Sequence, residues 1–156
     1  MTRYFEDFRP GDVAQLGRKR VTADEIVAFA REYDPQLFHV DEAAAASSPF
    51  GGLIASGWHT AAMFMRLFVE ELLLDSASLG SPGVEELRWL RPVRPGDELS
   101  GVVRIVETRV SERDPRRGTV ITESEVRNQE GEVVMRMRAR GFFARRTSPP
   151  RPPPPP

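Results

Sequence analysis

The residues that could do chemistry lie between Asp34 and His59, a stretch that contains both histidines of the chain. His39 follows Asp34 by five residues, and a carboxylate beside an imidazole can activate a water molecule. Gly57 stands at the expected start of a long apolar helix, where backbone N–H groups lack intrahelical acceptors. Such an N–H group can polarise a carbonyl oxygen. Together these groups predict an enzyme that activates water beside a polarised carbonyl.

Asp34 follows a predicted helix over Thr22–Tyr33, which opens with a capping box formed by Thr22 and Glu25. Pro35 disfavours helical dihedral angles at the residue before it, so the helix should end at Asp34. There the negative end of the helix dipole favours a neutral carboxyl group, whereas a nearby imidazolium would favour the carboxylate. An ordinary Asp-Pro turn is the alternative, because spacing alone does not bring the imidazole back to the carboxylate.

Two further helices are expected after this pair. Asp41 fits the N-cap of a short helix, which makes it a capping residue instead of a catalyst. The long apolar helix is predicted over Trp58–Leu74, with Ser56 as an N-cap whose hydroxyl serves an N–H group two or three residues on. Gly57 either lets a ligand oxygen approach the free amides or relieves crowding at the helix start. His59 is expected on the helix surface or in packing, and contact with a ligand is the alternative.

Three runs of residues carry a family resemblance. In Tyr33–Glu42 a His follows an Asp by five residues, and an aliphatic residue and a second Asp come next. Pro49–Trp58 brings a glycine to the start of the central helix, and Leu90–Leu99 has the pattern strand, turn, strand. These runs resemble the motifs of the MaoC-like dehydratases, the (R)-specific enoyl-CoA hydratases. The resemblance spans Tyr4–Ala144 and implies a hotdog fold, an antiparallel sheet wrapped around one long helix.

The resemblance also implies a role for each matching position. Asp34 and His39 would hold and activate the water, and the Gly57 N–H would bind the thioester oxygen. Gln36 stands where many members have asparagine, and Met65 stands where some hydratases have serine. The residues expected to bind substrate around these positions are Gln36, Phe38, Ser56, Trp58 and His59.

Composition indicates one domain of modest size in a chain of 156 residues. The absence of cysteine excludes disulfides and thiolate chemistry, and two histidines with scattered carboxylates predict no metal site. A net charge of -1 argues against nucleic-acid binding. The sequence predicts neither a signal peptide nor a membrane span, so a cytoplasmic protein without a membrane partner is expected. The domain is expected over residues 1–146, and a proline-rich disordered tail over 147–156.

The second half of the chain predicts strands, which gives an α+β fold class. Strands are expected over Asp12–Arg20, Val84–Leu90, Glu98–Val110, Thr119–Asn128 and Val133–Phe143. In the last of these, arginines alternate with small or apolar residues at period two, the clearest β pattern in the chain. Its charged face, Arg136, Arg138 and Arg140, could suggest nucleic-acid binding. Glu123 and Glu125 on the preceding strand can offset those charges across the sheet.

The function implied by the resemblance is reversible hydration of a 2-enoyl thioester to a 3-hydroxyacyl thioester, a hydro-lyase reaction. The carrier would be coenzyme A or an acyl-carrier protein, and no separate cofactor is expected. Two alternatives remain open: an acyl-CoA thioesterase of the same fold, and a non-catalytic module that binds acyl thioesters. A single-repeat chain leaves a sheet edge and a shallow groove exposed, so a homodimer or higher homo-oligomer with the acyl tunnel near its interface is expected.

Overall fold

The computed structural model describes residues 1–146 as helices packed on one sheet. The helices are α1 Ala23–Tyr33, α2 Leu37–Val40, α3 Glu42–Ala46 and α4 Gly57–Phe68. The strands are β1 Val13–Arg20, β2 Gly83–Trp89, β3 Glu98–Val110, β4 Arg117–Arg127 and β5 Val133–Ala144. A 3₁₀ turn over Phe5–Asp7 precedes β1, and a π-helical turn over Val69–Leu73 extends α4. The predicted strands are confirmed to within two residues, whereas α2 was not predicted.

The five strands form a single antiparallel sheet in the order β1-β3-β4-β5-β2. Consecutive strands β3, β4 and β5 form the centre as a meander, and β1 and β2 lie at the two edges. Helix α4 packs on the sheet through Met63, Phe64 and Leu67, which are buried in one core with Val103 and Met135. The α+β class and the hotdog arrangement, a sheet wrapped around a long helix, are therefore confirmed.

Local sequence signals set the helix ends around the site. The Thr22 side chain accepts the N–H of Glu25, and the Glu25 carboxylate accepts the N–H of Thr22, so the predicted capping box is present. Helix α1 ends at its C-cap, Asp34, as the following proline predicts. Asp41 caps α3 by accepting the N–H of Ala44 at 2.9 Å. These caps fix the two ends of the segment that carries the candidate residues.

The arginine-rich face of β5 is neutralised by its neighbours. In the β4–β5 register Glu123 lies opposite Arg138, and Glu125 lies opposite Arg136. Both pairs form salt bridges, and Glu85 on β2 also accepts hydrogen bonds from Arg138. The predicted offset of the arginine charges across the sheet is therefore confirmed.

No helix within residues 1–146 has the length and hydropathy needed to cross a membrane. The proline-rich tail predicted over 147–156 lies outside the described residues. Its disorder, and the domain boundary placed before it, therefore stay predictions from the sequence.

Candidate active site

Asp34 is held in place by hydrogen bonds to three parts of the chain. Its backbone N–H closes the last turn of α1 on the carbonyl of Ala30 at 2.9 Å. Its Oδ2 accepts the hydroxyl of Ser56 at 2.7 Å, and its Oδ1 accepts the amide of Gln36 at 2.8 Å. The side chain is 19% exposed, so one side of the carboxylate still reaches solvent.

His39 lies in α2, a single turn that carries its ring back to Asp34. Its Nε2 is 3.3 Å from Asp34 Oδ2, and its Nδ1 is 2.7 Å from the backbone carbonyl of Ile54. A carbonyl oxygen only accepts, so Nδ1 carries the proton and Nε2 is the nitrogen that faces the carboxylate. The ring is buried and packs edge-on against Phe38. The fold thus brings together the two residues that spacing alone could not join.

Ser56 is the N-cap of α4, but its hydroxyl does not cap the helix as expected. The hydroxyl instead donates to Asp34, and α4 has no side-chain hydrogen bond at its cap. The N–H of Gly57, the first residue of the helix, also donates to no acceptor among residues 1–146. The free amide at the positive end of a helix therefore lies one residue from the group that holds the carboxylate.

The hydrogen bond from Ser56 holds the pKa of Asp34 below its ordinary value. Burial acts in the opposite direction, and the Gln36 amide and His39 add smaller lowering effects. Of the two opposing influences expected on Asp34, the helix dipole that favours a neutral carboxyl group is outweighed by the direct donors. Asp34 is a carboxylate at neutral pH and serves as a hydrogen-bond acceptor.

Replacing Ser56 with alanine should raise the pKa of Asp34, because it removes the largest effect that favours the carboxylate. A depressed carboxyl pKa stabilises the fold above the pKa of the unfolded chain, and that contribution disappears as pH falls through the folded pKa. The variant should lose part of this contribution. Carbon-13 NMR titration of the Asp34 carboxyl would measure the shift, and Gln36→Ala should give a smaller shift of the same sign. An unchanged titration in Ser56→Ala would contradict the assignment.

The other residues expected to bind substrate differ in their exposure and in their contacts with Asp34 and His39. Gln36 is exposed and donates to Asp34, whereas Phe38 is half-buried and packs on Phe50 and on the imidazole. Trp58 is exposed beside Gly57. Met65, at the position where some hydratases have serine, is half exposed two turns into α4. Ser56 is fully buried, so its hydroxyl faces the carboxylate and not an open groove.

His59 is not on the helix surface. Its ring is buried, stacks on Phe29 at 4.7 Å between centroids, and has an Nδ1 without a hydrogen-bond partner among residues 1–146. Burial lowers the pKa of His59, which keeps the ring neutral. The packing alternative fits this position, because the ring fills the contact between α1 and α4.

Sequence reasoning missed two groups that shape the site. The carbonyl of Ile54 sets the tautomer of His39, and backbone partners of this kind leave no signal in side-chain patterns. The indole of Trp89, at the end of β2, lies against Gly57 so closely that a β-carbon there would be 2.4 Å from its Cε2 atom. Gly57 does not have a positive φ, so crowding by the indole and not backbone conformation requires glycine.

A family model described as the MaoC like domain matches residues 9–128 of the chain. The chain belongs to the MaoC-like dehydratase family. Within residues 1–146 of this MaoC-like protein, no three His, Cys, Asp or Glu side chains cluster as they would around a metal ion. The residues that the fold brings together are instead a carboxylate, an imidazole and a free helix amide.

Two solved structures resemble most of the chain, and one enzyme resembles about two thirds of it. The MaoC-like dehydratase from Rhodospirillum rubrum is 45% identical, with a TM-score of 0.85 over 93% of this chain and 99% of that one. The (R)-hydratase from A. caviae involved in PHA biosynthesis is 26% identical, with a TM-score of 0.72 over 90% of this chain and 99% of that one. The 3-hydroxybutyryl-CoA dehydratase from Methylorubrum extorquens is 30% identical over 109 residues, 67% of this chain and 64% of that enzyme.

Proposed function

We propose that this MaoC-like protein catalyses the reversible hydration of a 2-enoyl thioester to a 3-hydroxyacyl thioester. The observation that carries the proposal is the approach of His39 Nε2 to Asp34 Oδ2 at 3.3 Å. In the neutral imidazole with Nδ1 donating to Ile54, both facing atoms are hydrogen-bond acceptors. A water molecule beside them can donate one hydrogen to each, which leaves an oxygen lone pair directed at the substrate.

The proton transfers follow from this arrangement. The water oxygen bonds to C3 of the enoyl group while its proton passes to His39 Nε2, and the C2=C3 electron pair moves into the thioester as an enolate. The lowered pKa of Asp34 makes its carboxylate the poorer base, so we assign it the orientation of the water. The imidazolium then returns its proton to C2, which restores the neutral ring and completes the addition.

The free N–H of Gly57 is the group best placed to hold the enolate oxygen. It begins α4, so the positive end of the helix dipole adds to the hydrogen bond. Its neighbour Ser56 touches Asp34, which places the two halves of the site side by side. A preorganised donor of this kind and a positioned base each contribute roughly 10²-fold or more to the rate.

An apolar cavity of about 250 Å³ supports an acyl substrate. It begins one helical turn beyond Gly57, at Ala61, and follows the same face of α4 to Met65 and Phe68. The opposite wall is the inner face of the sheet, including Ala139 on β5. A thioester carbonyl at the Gly57 amide would therefore direct its alkyl chain along the helix and into this cavity. The activity named for the Methylorubrum extorquens relative further supports a coenzyme A thioester.

Narrowing the cavity should select against longer acyl chains. The substitution Ala139→Leu extends a side chain into the space between α4 and the sheet. We expect kcat/KM to fall about 10-fold for an eight-carbon enoyl-CoA and much less for crotonyl-CoA, since the short chain leaves the deep cavity empty. Ala144→Leu is the matched control, because Ala144 lies on the same strand but does not line the cavity. Equal losses for both chain lengths would contradict this location of the acyl group.

We also propose that the chain forms a homodimer. Within residues 1–146 the outer edge of β2 pairs with no strand, and the exposed apolar residues Leu79, Val84 and Leu90 lie on or beside it. A second copy can cover this edge and bury those side chains. The same contact would close the groove between β2 and α4.

The dimer should be visible in sedimentation velocity at micromolar concentration. Val84→Lys places a charge at the proposed contact, so it should shift the protein toward the monomer. Val110→Lys is a control of similar exposure, 43% against 52%, at the far end of β3. A wild-type monomer with full activity would contradict the proposed assembly.

The direct test of the activity is a panel of enoyl-CoA esters followed by loss of the conjugated thioester absorbance. Hydration should give the 3-hydroxyacyl-CoA without release of free thiol. No added metal or cofactor should be required, because the proposed steps use only Asp34, His39 and the Gly57 amide. Thiol release from a saturated acyl-CoA without any hydration would identify a thioesterase instead. Binding without either reaction would identify a non-catalytic module.

A further inference from the structure

The two tryptophans of the chain meet at the start of α4. Trp58 is the second residue of α4, and Trp89 is the last residue of β2. Their rings pack edge to face, with centroids 5.0 Å apart at an interplanar angle of 80°. Both indoles remain partly exposed, so the pair forms an aromatic surface beside the first turn of α4.

Trp89 occupies the space in which any other residue at position 57 would carry its side chain. A β-carbon on Gly57 would lie 2.4 Å from Cε2, 2.5 Å from Cδ2 and 2.9 Å from Cζ2 of the indole. The contact therefore runs along the fused edge of the indole and not at one flexible tip. Because β2 pairs only with β5 among the described strands, this contact also ties the end of an edge strand to the first residue of α4.

We propose that Trp89 is a positioning residue for the oxyanion site: its indole fixes the Gly57 amide and keeps water from one side of it. The inference rests on the proposed function, in which that amide holds the enolate oxygen. A hydrogen bond to a developing charge is strongest when the donor is preorganised and water is excluded. The indole can supply both conditions, since it lies on the side of Gly57 where a β-carbon would be and presents an apolar face.

Polarisation of the thioester can be measured without turnover. A 4-(dimethylamino)cinnamoyl-CoA probe has an absorption band that moves to longer wavelength when its carbonyl accepts a strong hydrogen bond. The wild-type protein should produce this red shift. In Trp89→Ala the red shift should fall to less than about half of the wild-type value, because the Gly57 amide becomes mobile and exposed to water. Trp89→Phe keeps an aromatic ring at the contact and should recover most of it.

Kinetics separate positioning from simple binding. With an enoyl-CoA substrate, Trp89→Ala should lower kcat about 10-fold while KM changes less than about twofold, because the interaction is made mainly in the transition state. Phe142→Ala is the control for loss of an aromatic ring, since Phe142 packs under Arg117 and not at the site. Its red shift and kcat should match those of the wild type.

The results distinguish failure of the role proposed for Trp89 from failure of the oxyanion role proposed for Gly57. A full red shift and a wild-type kcat in folded Trp89→Ala would overturn the role of Trp89 and leave the proposed hydratase intact. If Trp89→Ala does not fold, Trp89→Phe is compared with Trp89→Leu, which has no aromatic ring. A red shift in Trp89→Phe no larger than that in Trp89→Leu would mean that the ring makes no specific contact, and would also overturn the role of Trp89. A wild-type protein that binds the probe without any red shift would overturn the oxyanion role of Gly57, and with it this inference.

Discussion

Changing His39 to glutamine or Asp34 to asparagine should each lower the rate of enoyl-thioester hydration by at least about 10²-fold. Glutamine cannot take the proton of the attacking water, and asparagine offers a donor where the water needs an acceptor. The double variant should lose little more than either single variant, because both residues hold the same water and act as a unit. Rates with crotonyl-CoA and thermal midpoints, measured together for the three variants, test this result.

The fold should survive these changes, since neither substitution removes much apolar surface. Asp41→Asn is a matched control: it alters a nearby carboxylate that caps α3, and asparagine is also a good N-cap. The control should keep both its rate and its thermal midpoint. Near-normal hydration in Asp34→Asn or His39→Gln would remove that residue from the proposed mechanism.

The elements of this fold could be predicted because their signals are local. The capping box at Thr22, the proline after Asp34 and the period-two pattern of β5 depend on residues a few positions apart. The one-turn helix α2 was missed, since four residues give too short a pattern to distinguish from a loop. It is nevertheless the element that turns the imidazole of His39 toward the carboxylate.

The chemistry of the site was less predictable because its contacts join distant parts of the chain. The position of Ser56 just before α4 predicts a capping hydroxyl, yet that hydroxyl donates to Asp34, 22 residues earlier. That contact reverses the pKa shift that the helix dipole alone would predict for the carboxyl group. Likewise, nothing near Gly57 in the sequence shows that Trp89 will press against it. The partners of these side chains depend on tertiary packing, and the types and spacing of neighbouring residues do not reveal them.

Changing Gly57 to alanine should lower the hydration rate by at least about 10-fold, although the backbone N–H is retained. The new β-carbon would lie 2.4 Å from the Trp89 indole, so either the ring or the helix start must move. Movement of the helix start would displace the proposed oxyanion donor, and movement of the ring would remove the contact proposed to position it. Gly17→Ala is the matched control, because its β-carbon would meet only Leu67, at an ordinary 3.7 Å.

A double-mutant cycle can show that the indole is the cause. In the Trp89→Ala background the clash is absent, so adding Gly57→Ala should cost less in rate and in thermal midpoint than it does in the wild type. The double variant should therefore lose less in rate, and less in thermal midpoint, than the sum of the losses of the two single variants. Equal costs in the two backgrounds would mean that Gly57 is needed for close approach of the substrate oxygen itself, and not to make room for Trp89.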